Sequence, residues 1–362
     1  MRKVRNAITG LLLLGATLGA AGTAHAAPGM EVALQDDAVF LYRSYYDRDA
    51  AFQQARALGV TRLRVNMLWD RALGAQARLA RRPAQLQYNW GPYDSVVDAA
   101  AAYGIRVQLT VAGPAPAWAT GNHVVGPTSP NAARYGGFMR DVATHFRGRV
   151  DRYSIWNEPN WRGWLNPQRK APALYRNLYV AGYRAVKSAD PAAQVLIGEL
   201  APLGRRGTAI SPLAFVRGIT RHGKLRADGF AHHPYSMKYG PSERPGSRDD
   251  VTLGSLPRLS GMLHRLAKSR RLSTPSGKPL PLYLTEWGYF ARGPRTVPMQ
   301  KRVAFVRKSF DIAQRTPGVR QLLQYLLVQP QHGVSWDTSI VSPGGVASPT
   351  FNAIWGWAQK RG

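Results

Sequence analysis

The chain has 362 residues, of which 44% are hydrophobic and 10% aromatic, enough for one large domain with a substantial core and too apolar for disorder. It contains no cysteine, which excludes disulfides, thiolate metal sites and cysteine nucleophiles. Its formal net charge of +29 favours anionic partners such as acidic polysaccharides, cell-wall polymers or nucleic acid, and bears on association rather than fold.

Arg2, Lys3 and Arg5 precede an apolar run around residues 11–14 that extends to Ala21 and is followed by Ala24-His25-Ala26. That order is the order of a secretory signal with an A-x-A cleavage site. The expectation is a leader over 1–26, a mature start at Ala27 and a secreted, extracellular or cell-wall-associated protein. Removing the three leader cations leaves a charge of 29 − 3 = +26. No later stretch approaches the ~20 apolar residues of a membrane span, so no membrane insertion is expected.

From residue 31 onward short β-rich runs alternate with stretches whose apolar residues fall at helical spacing. Strands are expected at 31–41, 61–66, 105–111, 151–157, 194–200, 228–235, 281–287 and 320–328. Helices are expected at 50–58, 93–103, 132–146, 172–187, 256–270 and 301–316. Ala57-Leu58-Gly59-Val60, Ala102-Tyr103-Gly104-Ile105 and Ala189-Asp190-Pro191 are stop signals that end a helix just before a strand. Eight β-then-α units predict an α/β fold of one domain over 27–362, a (β/α)8 TIM barrel. The long connections follow the strands, and in such barrels the functional loops lie at the strands' C-terminal ends. Loop 67–91 carries Arg71, Arg78, Arg81 and Arg82, and loop 236–254 carries Lys238, Arg244 and Arg248.

Two segments share one construction. Tyr153-Ser154-Ile155-Trp156-Asn157-Glu158-Pro159-Asn160 is an apolar strand that ends in an amide, a carboxyl and a proline that halts pairing. Leu282-Tyr283-Leu284-Thr285-Glu286-Trp287-Gly288 ends another strand on a carboxyl. Glu158 and Glu286 would thus face each other at the barrel mouth. Retaining glycosidic cleavage needs such a pair, about 5–5.5 Å apart, one to protonate the leaving oxygen and one to attack the anomeric carbon. A third carboxyl, Glu199 in Ile197-Gly198-Glu199-Leu200, would also face the mouth, where it binds substrate, perturbs Glu158 or serves in an inverting pair. Trp118, Trp161, Trp164, Trp287 and Trp336 lie in or beside strand-end loops, where indole faces stack on sugars.

Trp156-Asn157-Glu158-Pro159 and Thr285-Glu286-Trp287 resemble the acid/base and nucleophile signatures of clan A glycoside hydrolases. Ile155-Trp156-Asn157-Glu158-Pro159-Asn160 is most similar to glycoside hydrolase family 39, with the cellulase-like family 5 close behind. The resemblance implies that Glu158 is the general acid/base after strand four and Glu286 the nucleophile after strand seven. By the same resemblance Asn157 bonds the sugar 2-hydroxyl, and Tyr235 of His233-Pro234-Tyr235 holds the nucleophile within a His-x-Tyr element. Arg64, rather than Arg62, orders the nucleophile from strand two. The clan's tryptophan at the end of strand eight is missing, and Tyr325 or Trp336 would stand in for it. No cofactor is expected, and no metal, since His232 and His233 have no third ligand nearby in sequence.

The expected function is a retaining glycoside hydrolase that cleaves O-glycosidic bonds of a polysaccharide or oligosaccharide by double displacement. Its partner is a carbohydrate, with an anionic polysaccharide favoured by the charge. A catalytically silent barrel gripping an acidic cell-wall polymer is the alternative. A nucleic-acid binder would need a basic helix, an RNP-type strand or a Cys/His finger, and none is present.

Overall fold

The computed structural model describes residues 30–80, 86–236, 239–331 and 336–360. The leader over 1–26, Arg81, Arg82 and Lys238 lie outside the described residues.

Eight parallel strands close into a barrel: β1 (Glu31–Gln35), β2 (Arg62–Leu68), β3 (Arg106–Ala112), β4 (Arg152–Ile155), β5 (Gln194–Leu200), β6 (Gly229–His232), β7 (Leu282–Trp287) and β8 (Val319–Tyr325). Each pairs with the next in sequence, and β8 closes on β1 from Glu31↔Gln321 to Gln35↔Tyr325. Helices over Arg48–Ala57, Gly91–Ala102, Ala132–His145, Ala171–Ala189, Leu256–Lys268 and Met299–Arg315 pack around it, as the helical spacing predicts. The fold is a (β/α)8 TIM barrel.

Some elements depart from the sequence reading. The run 31–41 is not one strand. Pairing stops at Gln35, and Asp36 caps a short helix, Asp37–Phe40, by accepting from the Val39 amide. The carboxyl of Asp36 also accepts the amides of Leu327 and Val328, each at 3.1 Å, which ties this turn to the end of β8. Val39, Phe40 and Leu41 are buried, so the apolar run is a core signal that periodicity does not resolve into strand or helix. Two further helices, Pro212–Ile219 and Pro349–Gln359, begin with proline in the first turn, where its missing N–H costs nothing.

The apolar core lies between strands and helices, while the barrel interior is largely polar and layered. At the bottom Glu31 accepts from Arg62, Arg106 and Arg152, and Asp151 accepts from Arg62 at 2.6 Å. One layer higher Arg64 reaches Gln35, Thr110, Asn157, Glu199 and Glu286. Arg62 and Arg64 therefore face the same interior, as residues two apart on a strand must. Depth, not parity, separates their roles.

Candidate active site

The mouth is built where β4, β5, β6 and β7 end. After Ile155 the backbone enters positive φ at Trp156 (68°) and again at Glu158 (37°), so the chain turns sharply instead of continuing the strand. Trp156 anchors that turn from outside the barrel. It is fully buried, packs edge-on against Tyr135 with centroids 5.5 Å apart, and donates its indole N–H to the Trp164 carbonyl at 2.8 Å. A Cβ on Gly113 would lie 2.7 Å from its ring, so glycine there is a packing requirement. With Trp156 fixed outward, Asn157 and Glu158 are delivered to the mouth. The Glu158 amide donates to the Glu199 carbonyl at 2.9 Å, which couples the β4 turn to β5.

Glu286 arrives from β7. One of its oxygens accepts from Arg64 Nη1 at 2.7 Å and the other from the Tyr235 hydroxyl at 3.3 Å. Arg64 Nη2 also donates to Asn157 Oδ1 at 2.8 Å and to Glu199 Oε2 at 3.0 Å. One guanidinium thus orients two mouth residues and one buried carboxylate with its forked donors. Side-chain oxygens of Glu158 and Glu286 and a ring nitrogen of His233 all lie within 4.8 Å of one another.

His233 joins the carboxylates. Its Nδ1 is 2.9 Å from Glu158 and 3.7 Å from Glu286, and its Nε2 is 2.7 Å from Glu199. Burial opposes its charge, yet Glu286, Glu158 and Glu199 outweigh burial and push it up to about 10, so it is an imidazolium. Burial raises the Glu158 carboxyl above the ordinary glutamate range, against the opposing pull of His233. Glu199 behaves oppositely. Burial would raise it, but Arg64 and His233 hold it down at about 2. His232 points away from the mouth, bonds the Val251 carbonyl at 2.8 Å and is kept neutral by burial, at about 3.

A third potential ligand does approach His233, which adjacency in sequence did not predict. Glu158, His233 and Glu286 could in distance enclose a cation. An imidazolium with both nitrogens bonded to carboxylates offers no lone pair, however, and metal ligation requires the neutral ring. The donor set as built suits proton handling rather than a metal.

The tryptophans divide. Trp161 is 43% exposed and follows Glu158 in its turn, its amide donating to the Glu158 carbonyl at 2.9 Å. With Trp164 and Gly163 it lines a hollow of about 340 Å³ completed by Pro114, Val125 and Pro127. Trp336 is partly exposed and stands edge-on to Tyr235, centroids 5.1 Å apart. Tyr325, at the end of β8, is also partly exposed. Trp118 and Trp287 are not sugar platforms. Trp118 is buried against Trp69 and donates to the Ala77 carbonyl at 2.8 Å. Trp287 is 0% exposed and packs on Tyr289 and Phe310, in the helix layer. It follows Glu286, and neighbouring strand residues point to opposite faces.

Glu199 is not mouth-facing either. It is 0% exposed, bonded to Arg64, His233, Thr285 and Gln108, and cannot touch substrate. Gln35, Gln108, Thr110 and Thr285 complete this deck; the first three escape the sequence reading, and Thr285 enters it only as part of the Glu286 signature. Their signal was present as polar residues within otherwise apolar strands.

A closed parallel barrel with paired glutamates, a buried arginine and a His-x-Tyr element at its mouth belongs to the class of clan A glycoside hydrolases. Residues 19–202, half of the chain, match the family described as Cellulase (glycosyl hydrolase family 5), and the chain belongs to that family. Similar solved folds include a family 39 glycoside hydrolase from the gut symbiont Bacteroides cellulosilyticus WH2, with TM-score 0.67, 17% identity, and 91% of this chain and 63% of that one covered. Another is GH5_18 from Streptomyces cattleya in complex with GlcNAc, at TM-score 0.63, 16% identity, and 92% and 80% covered. A GH39 β-xylosidase from Caulobacter crescentus matches at TM-score 0.60, 17% identity, and 94% and 74% covered. The chain thus spans 63% of the length of the first of these structures. No curated protein sequence matches it.

Proposed function

We propose that the chain is a secreted retaining glycoside hydrolase in which Glu158 is the general acid/base and Glu286 the nucleophile. The observation that carries this reading is the approach of carboxylate oxygens of Glu158 and Glu286 to within 4.8 Å across the mouth. That spacing fits the ~5–5.5 Å separation of carboxyl groups in retaining enzymes, and leaves no room for the water that a gap of ~6.5–9.5 Å admits in inverting ones. Their environments differ in the sense the two roles require. Arg64 and Tyr235 each donate to one oxygen of Glu286 and so aim its carboxylate, while burial lifts Glu158 toward the protonated form.

In the first step the Glu286 carboxylate attacks the anomeric carbon and Glu158 gives its proton to the leaving oxygen. In the second Glu158, now a carboxylate, takes a proton from water, which attacks the anomeric carbon and releases Glu286. Asn157, its Oδ1 occupied by Arg64, presents its NH2 as a donor for the sugar 2-hydroxyl. Trp161, in the turn that carries the acid, is placed for the leaving-group sugar, and Trp336 for the sugar held over Tyr235. Hydrolysis of a panel of aryl glycosides tests the reading. Turnover by the wild type, lost in Glu286→Ala, supports it; binding without turnover would return the silent barrel.

Tyr235→Phe removes one donor to Glu286 and leaves Arg64. A hydrogen bond to a charged group is worth about 1.5–3 kcal/mol, so kcat should fall about 10- to 100-fold with KM little changed. Steady-state kinetics on an aryl glycoside check this, and an equal rise in KM without loss of kcat would contradict it.

The substrate is proposed to be an anionic or anion-associated polysaccharide. Arg71, Arg244 and Arg248 are exposed in the loops after β2 and β6, and the Arg295 guanidinium lies 5.0 Å from the Trp336 ring. Retention on acidic polysaccharide should weaken several-fold from low salt to about 0.5 M, because exposed charges are screened over about 8 Å already at physiological ionic strength. Neutral substrates, including GlcNAc-containing ones like the ligand of GH5_18 from Streptomyces cattleya, form the control. Equal binding to both at every salt concentration would contradict an electrostatic partner.

A further inference from the structure

Glu199 sits beneath the mouth without reaching it, yet its contacts touch the holders of both mouth carboxylates. Its side chain accepts from Arg64 at 3.0 Å, His233 at 2.7 Å and Thr285 at 2.7 Å, and from Gln108 at 3.3 Å. Arg64 in turn holds Glu286, and His233 holds Glu158. The backbone is distorted to achieve this. Glu199 has φ 51°, Gly198 has φ 119°, and the register of β5 against β6 shifts between Gly198 and Leu200. A Cβ at 198 would lie 2.4 Å from the Ala231 carbonyl, so only glycine permits the bulge that turns the Glu199 carboxylate inward.

The charges explain what such a residue does. Two cations, Arg64 and His233, serve the site, and Glu286 supplies one anion. Were these three alone, the second anion would be Glu158, ionised and unable to donate a proton. We propose that Glu199 is a positioning residue that supplies the missing counter-charge, fixes His233 as a cation bridging Glu199 to Glu158, and thereby leaves Glu158 free to hold the acid proton. The proposal rests on Glu158 being the general acid.

Among the other groups described around this cluster, only Asp37 adds an anion above about pH 6, and it acts on Arg64 and Glu286 rather than linking His233 to Glu158. From the β1 side Asp37 faces Arg64; burial raises it to about 6, against donors from Gln35 at 2.9 Å and the Asn66 amide at 3.2 Å. Gln108 and Thr110 of β3, Ser154 of β4 and Thr285 of β7 are neutral. Tyr175, which receives the Gly198 amide at 2.6 Å, is kept protonated by burial, as are Tyr235 and Tyr325. His232 is neutral. In the lower deck Arg62 and Arg152 are matched by Glu31 and Asp151. Asp37 titrates in wild type and variant alike, so comparison of the two removes its contribution.

Glu199→Gln keeps the size and an acceptor for Arg64 but removes the anion. Loss of a nearby negative charge lowers the proton affinity of the coupled Glu158–His233 pair. The basic limb of kcat/KM on a poor leaving group should therefore move down by about one pH unit or more, a loss of about tenfold at pH 8. A strongly activated aryl leaving group should lose much less, and Glu199→Asp, which keeps the charge, should keep the limb in place. A uniform fall at every pH, with the limb unmoved, would reduce Glu199 to a packing role and overturn the proposal. Should Glu199→Gln not fold, carbon-13 NMR titration of the wild type decides, helped by there being five glutamates in the chain. A Glu199 that ionises well below the ordinary carboxylate range beside a Glu158 that ionises above it is expected, and a Glu199 that titrates in the ordinary range overturns the proposal. A wild type that hydrolyses no glycoside would sink the assignment of Glu158 instead, with the titration still reading the charge on Glu199.

Discussion

Glu286→Ala is expected to lower kcat/KM on every glycoside substrate by on the order of 10⁴-fold or more, whatever the leaving group. The reason is that no neighbouring group replaces it. Arg64 and Tyr235 converge on its oxygens as donors, and neither can attack an anomeric carbon. Glu158 is held by His233 at 2.9 Å, and Asp37 is engaged by Gln35 and the Asn66 amide. The loss is measured on aryl glycosides with good and poor leaving groups, with a melting curve to confirm that the variant is folded. Residual activity within tenfold of wild type would show that Glu286 is not the nucleophile.

Glu158→Ala should behave differently, and the difference identifies the role. General acid catalysis contributes about 10²- to 10⁴-fold, and it matters most when the departing oxygen is a poor leaving group. An alkyl or sugar leaving group should therefore lose activity within that range, while an activated aryl glycoside should form its glycosyl-enzyme at near wild-type rate and accumulate it. The cavity left by the side chain admits a small anion. Azide should restore turnover of the activated substrate and yield a glycosyl azide of retained configuration. No dependence on leaving group, and no azide product, would remove Glu158 from the acid/base role.

The overall barrel and the two glutamates were legible in the sequence because each rests on a local signal that burial reinforces. Strand ends carrying Trp156-Asn157-Glu158 and Glu286-Trp287 stand out against apolar runs, since a carboxyl there has to be held by something. What local signals lack is depth. Arg62 and Arg64 have the same strand parity, and only the closed barrel shows that one belongs to the lower deck and the other to the mouth. Glu199 ends β5 much as Glu286 ends β7, yet the bulge at Gly198 sends its side chain into the interior. Trp287 is expected to be a platform because it lies at a strand end, where it adjoins Glu286. That adjacency is the reason it faces the helix layer. In 31–41 the apolar pattern is real, but the change from strand to helix depends on Asp36 capping a turn and binding amides nearly three hundred residues away, at Leu327 and Val328.

The central claim is that Glu158 and Glu286 work as a retaining pair, and the stereochemistry of the first-formed product tests it most directly. Proton NMR during hydrolysis of an aryl β-glycoside, or of the α-anomer if that is the one cleaved, resolves the anomeric signals before mutarotation mixes them. The account predicts that the first sugar released has the configuration of the substrate. Release of the opposite anomer would contradict it, and would assign the site to a single displacement by water.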